Sequence, residues 1–173
     1  MIKEITKAEL QKVYSKNTDT SDFVLRRIKF DLDMFDNPNV DMKYLEIFDD
    51  NENYVGQGVI VFQDFRNECE FEYEYKLLNR DRCCLLKNIY IQEDYRGKGY
   101  FTLLLKEMER LARIKGYRYL ILSVTKDNEK AQKVYEHLGF VKTDEEYNFS
   151  DIGECLVYMK RVPLNKKFEF CVR

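Results

Sequence analysis

Lys87-Asn88-Ile89-Tyr90-Ile91-Gln92-Glu93-Asp94-Tyr95-Arg96-Gly97-Lys98-Gly99-Tyr100-Phe101 is the stretch on which the fold turns. Cys83 to Ile91 is nearly all apolar, interrupted only by Lys87 and Asn88. That is the pattern of a central strand covered on both faces. A polar loop with glycines at 97 and 99 follows. Gly99 to Lys115 then reads as a helix, because Phe101, Leu104, Leu105, Met108, Leu111 and Ala112 recur at helical spacing. Gly116 supplies its stop. A strand that passes through a glycine loop into a helix is suited to phosphate. The first helical turn leaves N–H groups without intrahelical partners, and the helix dipole adds partial positive charge there. Glycines let the backbone approach a ligand closely, and Arg96 and Lys98 bring full charges. Taken alone, the glycine pair fits a tight strand-to-helix turn with a basic surface equally well.

Outward from this stretch the periods change several times. Downstream, Arg118 to Val124 reads as a buried strand and Asp127 to Leu138 as a helix. The helix has Ala131, Val134, Tyr135 and Leu138 on its apolar face and Gly139 at its end. Phe140 to Tyr147 and Cys155 to Val162 read as strands, and the tail Leu164 to Arg173 as an edge strand or a loose end. Upstream, Ile2 to Ile5 suits a short strand. Thr6 to Lys16 suits a helix with Leu10, Val13 and Tyr14 inward, capped by Thr6 with Glu9 three residues on. Ser21 to Phe35 suits a second helix, with Phe23, Ile28, Phe30 and Phe35 as core candidates and Asp36-Asn37-Pro38-Asn39 as its end. Tyr44 to Phe48 and Tyr54 to Phe62 form a hairpin across the polar turn Asp49 to Asn53, and Glu70 to Tyr75 alternates acidic with aromatic residues. Strand–helix–strand units occur only in the second half. The expected fold is therefore α/β: a mixed, mostly antiparallel central sheet flanked by helices.

The totals bound the function. A chain of 173 residues suits one domain, residues 1–173. Hydrophobic residues at 45% and charged residues at 35% describe a globular chain. A net charge of -2, from 29 basic and 31 acidic residues, argues against nucleic acid as a partner. The cysteines, five in number and without a CxxC pair, argue against a zinc site or a disulfide framework. They read as mostly buried thiols, Cys83 and Cys84 among them, in a reducing cytoplasm. No signal peptide and no membrane span are expected. There is no linker composition and no internal repeat.

Two other nucleotide loops do not match. Gly-Lys-Ser or Gly-Lys-Thr is absent, and Thr102 stands where the dinucleotide fingerprint has glycine or alanine. Arg96-Gly97-Lys98-Gly99-Tyr100-Phe101 instead resembles the Arg/Gln-x-x-Gly-x-Gly/Ala motif of the GCN5-related N-acetyltransferase (GNAT) superfamily. Asn128-Glu129-Lys130-Ala131-Gln132-Lys133-Val134-Tyr135-Glu136-His137-Leu138-Gly139-Phe140 resembles its Asn-x-x-Ala-x-x-x-Tyr…Gly-Phe segment, at the expected place one strand and one helix later. The resemblance covers residues 44 to 162; residues 1 to 40 match only in being helical, where such families vary.

The resemblance implies acetyl-CoA as co-substrate and no metal. It puts the pyrophosphate on Arg96, Gly97, Lys98, Gly99, Tyr100, Phe101 and Thr102, and the pantetheine arm on the backbone of Ile89, Tyr90 and Ile91. Phe101 departs from the family's Gly or Ala, and its side chain points into the core or tightens the cofactor site. The resemblance makes Asn128 a cofactor contact, against its alternative as a helix cap. It makes Tyr135 the acid that protonates the leaving thiolate, against its alternative as a core aromatic. Many relatives carry a glutamate base on the central strand. Here Lys87 occupies that position, leaving Glu70, Glu72 and Glu74, a water chain or a partly neutral substrate.

His137 reads as a surface residue near a helix end, and Asp144-Glu145-Glu146, on or beside a late strand, as a solvated loop or a substrate-facing patch. The expected activity is acetyl transfer to a primary amine, of a small molecule or a protein, directly in a ternary complex. The alternative is a catalytically inactive acyl-CoA-binding or regulatory module of the same fold. Monomer and homodimer are both left open.

Overall fold

The computed structural model describes residues 1–15, 29, 32–33, 35–36, 40–62, 82–149 and 153–163. Among the described residues are seven strands: β1 (Ile2–Ile5), β2 (Asp41–Phe48), β3 (Tyr54–Phe62), β4 (Cys83–Ile91), β5 (Tyr119–Thr125), β6 (Val141–Phe149) and β7 (Gly153–Arg161). Three helices, α1 (Lys7–Tyr14), α2 (Tyr100–Ile114) and α3 (Glu129–His137), join them. The strand order is β1-β2-β3-β4-β5-β7-β6, which makes β4 the middle strand of a seven-stranded sheet. β4 and β5 run parallel; β1/β2, β2/β3, β5/β7 and β6/β7 run antiparallel. The mixed, mostly antiparallel sheet is as expected. Most of the expected helix Ser21–Phe35, the strand Glu70–Tyr75 and the tail Leu164–Arg173 lie outside the described residues.

The chain divides into two compact units. The first comprises Met1–Cys69 and Leu86–Leu104. In it β1 pairs with β2 from Ile2↔Ile47 to Ile5↔Tyr44, and β2 pairs with β3 from Asp41↔Phe62 to Ile47↔Gly56. A register shift after Ile47 brings Phe48 opposite Tyr54, and their rings meet edge to face at 6.2 Å. Ile5, Leu10, Tyr44, Leu45, Ile47, Val55 and Ile60 are buried. The expected capping box opens α1: the Thr6 N–H donates to Glu9 Oε2 (2.8 Å), and the Glu9 N–H donates to Thr6 Oγ1 (3.3 Å). With Lys3 also donating to it, Glu9 is held down at about 2.

The second unit comprises Glu70–Leu85 and Leu105–Arg173. β4 enters it through Cys83↔Tyr119 to Leu85↔Ile121, and β5 pairs with β7 over its whole length. Leu105, Met108 and Ala112 of α2 are buried, as are Leu120, Leu122 and Tyr158. Lys160 and Glu109 form a largely buried ion pair of 2.6 Å, with the Lys160 ammonium 5.8 Å from the Phe140 ring centroid. Gly116 and Gly139 sit at φ +77° and +86°, the left-handed geometry that ends α2 and α3.

Two expectations need correction. Val134, assigned to the apolar face of α3, is 46% exposed. The run Asp144-Glu145-Glu146 lies within β6, where Glu146 pairs with Lys126 at 2.8 Å, rather than in a loop. The expected strand Cys83–Ile91 is present as β4, and within it Asn88 takes a φ of +53°, a left-handed geometry that asparagine tolerates better than most residues. Among the described residues, no helix is long and apolar enough to cross a membrane.

Candidate active site

After Ile91, Gln92 keeps the chain attached to β3 by donating its N–H to the Val55 carbonyl (2.8 Å). A short 3-10 turn, Glu93–Tyr95, follows, and Arg96 leaves it in extended geometry, φ -65° and ψ 149°. Gly97 and Gly99 then adopt φ +75° and +84°, a region closed to most side chains. Among the described residues, and apart from the chain neighbours, no heavy atom lies within 4 Å of where a Cβ would sit on either glycine. The two are glycines for backbone conformation, with open space above them. The bond from the Leu103 N–H to the Gly99 carbonyl (3.1 Å) opens α2, so the loop leads directly into a helix first turn, whose N–H groups have no carbonyl one turn earlier in the helix to bond. This is an anion-binding arrangement.

The charged residues of the loop are arranged unequally. Arg96 turns back on its own loop: its Nε donates to the Ile91 carbonyl (3.0 Å), and its Nη1 lies 4.0 Å from Glu93. Lys98 is exposed, with its ammonium 5.3 Å from the Tyr95 ring centroid. Tyr100, Phe101 and Thr102 are half-buried in the first turn of α2, so the bulky Phe101 is accommodated without full burial. Ile89 and Ile91 are half-buried and Tyr90 is 48% exposed. Gly56 of β3 lies directly against the Tyr90 carbonyl and Ile91.

Sequence reasoning missed the groups that surround this loop. The Tyr95 hydroxyl donates to Asp49 Oδ2 (3.2 Å) in the β2–β3 turn. Asp49 also accepts from the Asn53 side chain and from the Asn51 and Asn53 amides, which hold its carboxyl below the usual range. Burial, then the bond to Asp49, pushes the Tyr95 phenol up. The available signal was the run of Asp and Asn, residues that bond their own backbone in turns. Glu46, on β2 opposite Gln57, is 9% exposed, and burial raises its carboxyl. Lys87 is half-buried on β4, and Glu70, Glu72 and Glu74 lie outside the described residues.

In the second unit, α3 carries the other expected residues. Asn128 is its N-cap: Oδ1 accepts from the Ala131 N–H (3.2 Å). The capping alternative is thus realised by the side-chain oxygen. Gln132, unassigned in the sequence reading, ties the preceding turn by donating Nε2 to the carbonyls of Thr125 (3.1 Å) and Lys126 (2.9 Å). Tyr135 sits in an aromatic cluster, its ring centroid 5.8 Å from Phe140 and 6.3 Å from Tyr158. Burial pushes its phenol up, so it is protonated at neutral pH and able to donate. His137 is exposed in the last turn, as expected. Cys83, Cys84 and Cys155 are buried free thiols. Among the described residues no cluster of His, Cys, Asp and Glu is arranged to hold a metal.

Comparison with known proteins follows the same lines. The uncharacterized N-acetyltransferase YycN of Bacillus subtilis (strain 168) is 44% identical over 54 residues, 31% of this chain. The match spans 35% of that curated relative, about a third of its length. Among solved structures, an acetyltransferase of the GNAT family from Staphylococcus aureus aligns with a TM-score of 0.62 at 15% identity, covering 94% of this chain and 99% of that one. A variant of the spermidine N-acetyltransferase SpeG of Vibrio cholerae aligns at 0.59 and 15% identity, covering 93% and 94%. Nourseothricin acetyltransferase aligns at 0.57 and 20% identity, covering 73% and 67%. At such identities these structures show a shared fold. A model of the acetyltransferase (GNAT) family matches residues 6–140, reaching further toward the N-terminus than the motif resemblance and stopping earlier. A match over most of the chain, with the glycine loop inside it, places this protein in the acetyltransferase (GNAT) family.

Proposed function

We propose that this chain moves an acetyl group from acetyl-CoA to a primary amine, directly in a ternary complex, and that its 173 residues form one N-acetyltransferase domain. The observation that carries the proposal is the loop Arg96 to Thr102. Two positive-φ glycines with open space above them lead directly into the first turn of α2. These features fit a pyrophosphate, which takes backbone N–H donors and positive charge.

In this reading the amides of Gly97 to Thr102 hold the pyrophosphate. Lys98 supplies its charge, and Arg96 shapes the loop through the Ile91 carbonyl. The backbone of Ile89, Tyr90 and Ile91 binds the pantetheine arm. The thioester supplies the acyl group. Tyr135 donates its phenolic proton to the departing sulfur, and its raised phenol, protonated at neutral pH, supports that role. Asn128 contacts the coenzyme with the amide end of a side chain whose oxygen caps α3. The acceptor is an amine of a small molecule or a protein. A cytoplasmic setting is part of the proposal, supported by the free thiols.

Thiol release from acetyl-CoA across a panel of primary amines tests this. The wild-type chain turns over with at least one amine. Tyr135→Phe lowers kcat by about 100-fold or more while the chain stays folded at the assay temperature, because its ring retains the contacts with Phe140 and Tyr158. Coenzyme binding by calorimetry without turnover on any amine would instead favour the inactive acyl-CoA-binding module.

A further inference from the structure

The loop that grips the pyrophosphate in this proposal is tied at its entry by Arg96, whose Nε donates to the Ile91 carbonyl (3.0 Å), but its two glycines bring no side chains of their own. Its residues from 96 to 99 are exposed, and among the described residues nothing beyond the chain neighbours lies within 4 Å of a Cβ position on Gly97 or Gly99. A glycine pair has the largest conformational freedom of any residues, so an unsupported loop of this kind samples many arrangements. A ligand then has to select one, and its affinity falls by the fraction of chains in the competent form. Something adjacent must therefore restrict the loop.

Tyr95 is placed to do so. Its ring lies under the Lys98 ammonium at 5.3 Å and meets the Tyr100 ring edge-on at 5.6 Å, so it contacts the residues on both sides of Gly99. Its backbone is set by the 3-10 turn, where its N–H donates to the Gln92 carbonyl (3.0 Å). Its hydroxyl is anchored on Asp49 (3.2 Å), 46 residues earlier in the chain. Asp49 is itself immobilised: Oδ1 accepts from the Asn51 N–H (2.9 Å) and the Asn53 N–H (2.8 Å), and Oδ2 accepts from Asn53 Nδ2 (3.0 Å). The β2–β3 turn thus presents a fixed carboxylate, the carboxylate fixes the ring, and the ring fixes Lys98 and the start of α2.

We propose that Tyr95, anchored on Asp49, is a positioning residue that pre-organises the loop and Lys98 for the pyrophosphate of the coenzyme. The proposal rests on the reading of acetyl-CoA as co-substrate. Tyr95 does not touch the reacting atoms. Its contribution is to the pyrophosphate and to no other part of the thioester.

The test compares two thioesters, acetyl-CoA and S-acetylpantetheine, which lacks the pyrophosphate and nucleotide. Tyr95→Phe keeps the ring and removes the bond to Asp49. It is expected to raise the KM for acetyl-CoA about tenfold, leave kcat within about twofold, and leave kcat/KM for S-acetylpantetheine unchanged. Asp49→Asn should give the same selective loss, and the double variant should be no worse than either single one, because the residues act through one bond. Equal losses on both thioesters, or no loss on either, overturn the proposal. Calorimetry of coenzyme A with the wild-type chain separates the two levels. No binding there defeats the coenzyme reading and this inference together. Binding with an unaffected Tyr95→Phe variant defeats the inference alone.

Discussion

Gly56→Ala is the most direct probe of how the strand Ile89 to Ile91 is held. An ideal Cβ at Gly56 would lie 2.2 Å from the Tyr90 carbonyl oxygen, 2.8 Å from Ile91 Cδ1 and 3.0 Å from Ile91 Cα. The Ile91 Cδ1 can swing aside by a rotamer change, but the carbonyl oxygen is backbone. Reaching even 3.0 Å from it requires β3 and β4 to part by about 0.8 Å. The neighbouring bond from the Gln92 N–H to the Val55 carbonyl is 2.8 Å, and a parting of that size stretches it beyond useful length. Overpacking costs about 1–3 kcal/mol and the weakened hydrogen bond about 1 kcal/mol. The variant should thus lose roughly 2–4 kcal/mol, which for a chain of this size lowers the melting temperature by about 5–15 °C. Because the displaced backbone is the segment proposed to bind pantetheine, a shift near 1 Å should also cut kcat/KM for acetyl-CoA by about 10- to 100-fold, measured where the variant is fully folded. Circular dichroism melting with thiol-release kinetics at low temperature reads both quantities. A Gly56→Ala chain with native melting and native kcat/KM would refute the close approach and the role given to this strand.

Asn128→Ala should lower stability by about 1 kcal/mol through loss of the N-cap, whereas Asn128→Ser keeps a capping oxygen and most of the stability. If Asn128 also contacts the coenzyme, the serine variant raises the KM for acetyl-CoA at near-native melting temperature; an unchanged KM leaves it a cap alone. Glu46→Gln tests a buried carboxyl raised first by burial, opposed by Lys3 and reinforced by Glu9. A raised folded value means the native chain holds this proton more tightly than the unfolded chain. Stability is therefore lost as pH climbs from the ordinary carboxylate range through the raised value. The melting-temperature difference, variant minus wild type, should grow between pH 4 and pH 7, and a pH-independent difference would show that Glu46 carries no such strain.

The amino-acid sequence by itself determined what short-range chemistry encodes. Apolar spacing placed α2 from Leu104, Leu105 and Met108, all buried as expected. Thr6 with Glu9 marked a capping box that forms in full. Gly97 and Gly99 marked a left-handed loop before a helix, and with Asn128 to Phe140 that loop pointed to the family. Each of these signals lies within a few residues, where periodicity and backbone preference are decided. The tertiary structure alone decided which distant groups meet. Strand register, which no local pattern specifies, set Gly56 against Tyr90 and buried Glu46 opposite Gln57. It also brought Asp49 within reach of Tyr95, giving the glycine loop a second support beside the bond from Arg96 to the Ile91 carbonyl. Asn128 shows the two levels together: its identity was legible as a cap or a contact, and only the folded helix showed its oxygen committed to Ala131. A loop built on two glycines has few side chains with which to stiffen itself, so part of its order comes from elsewhere in the fold.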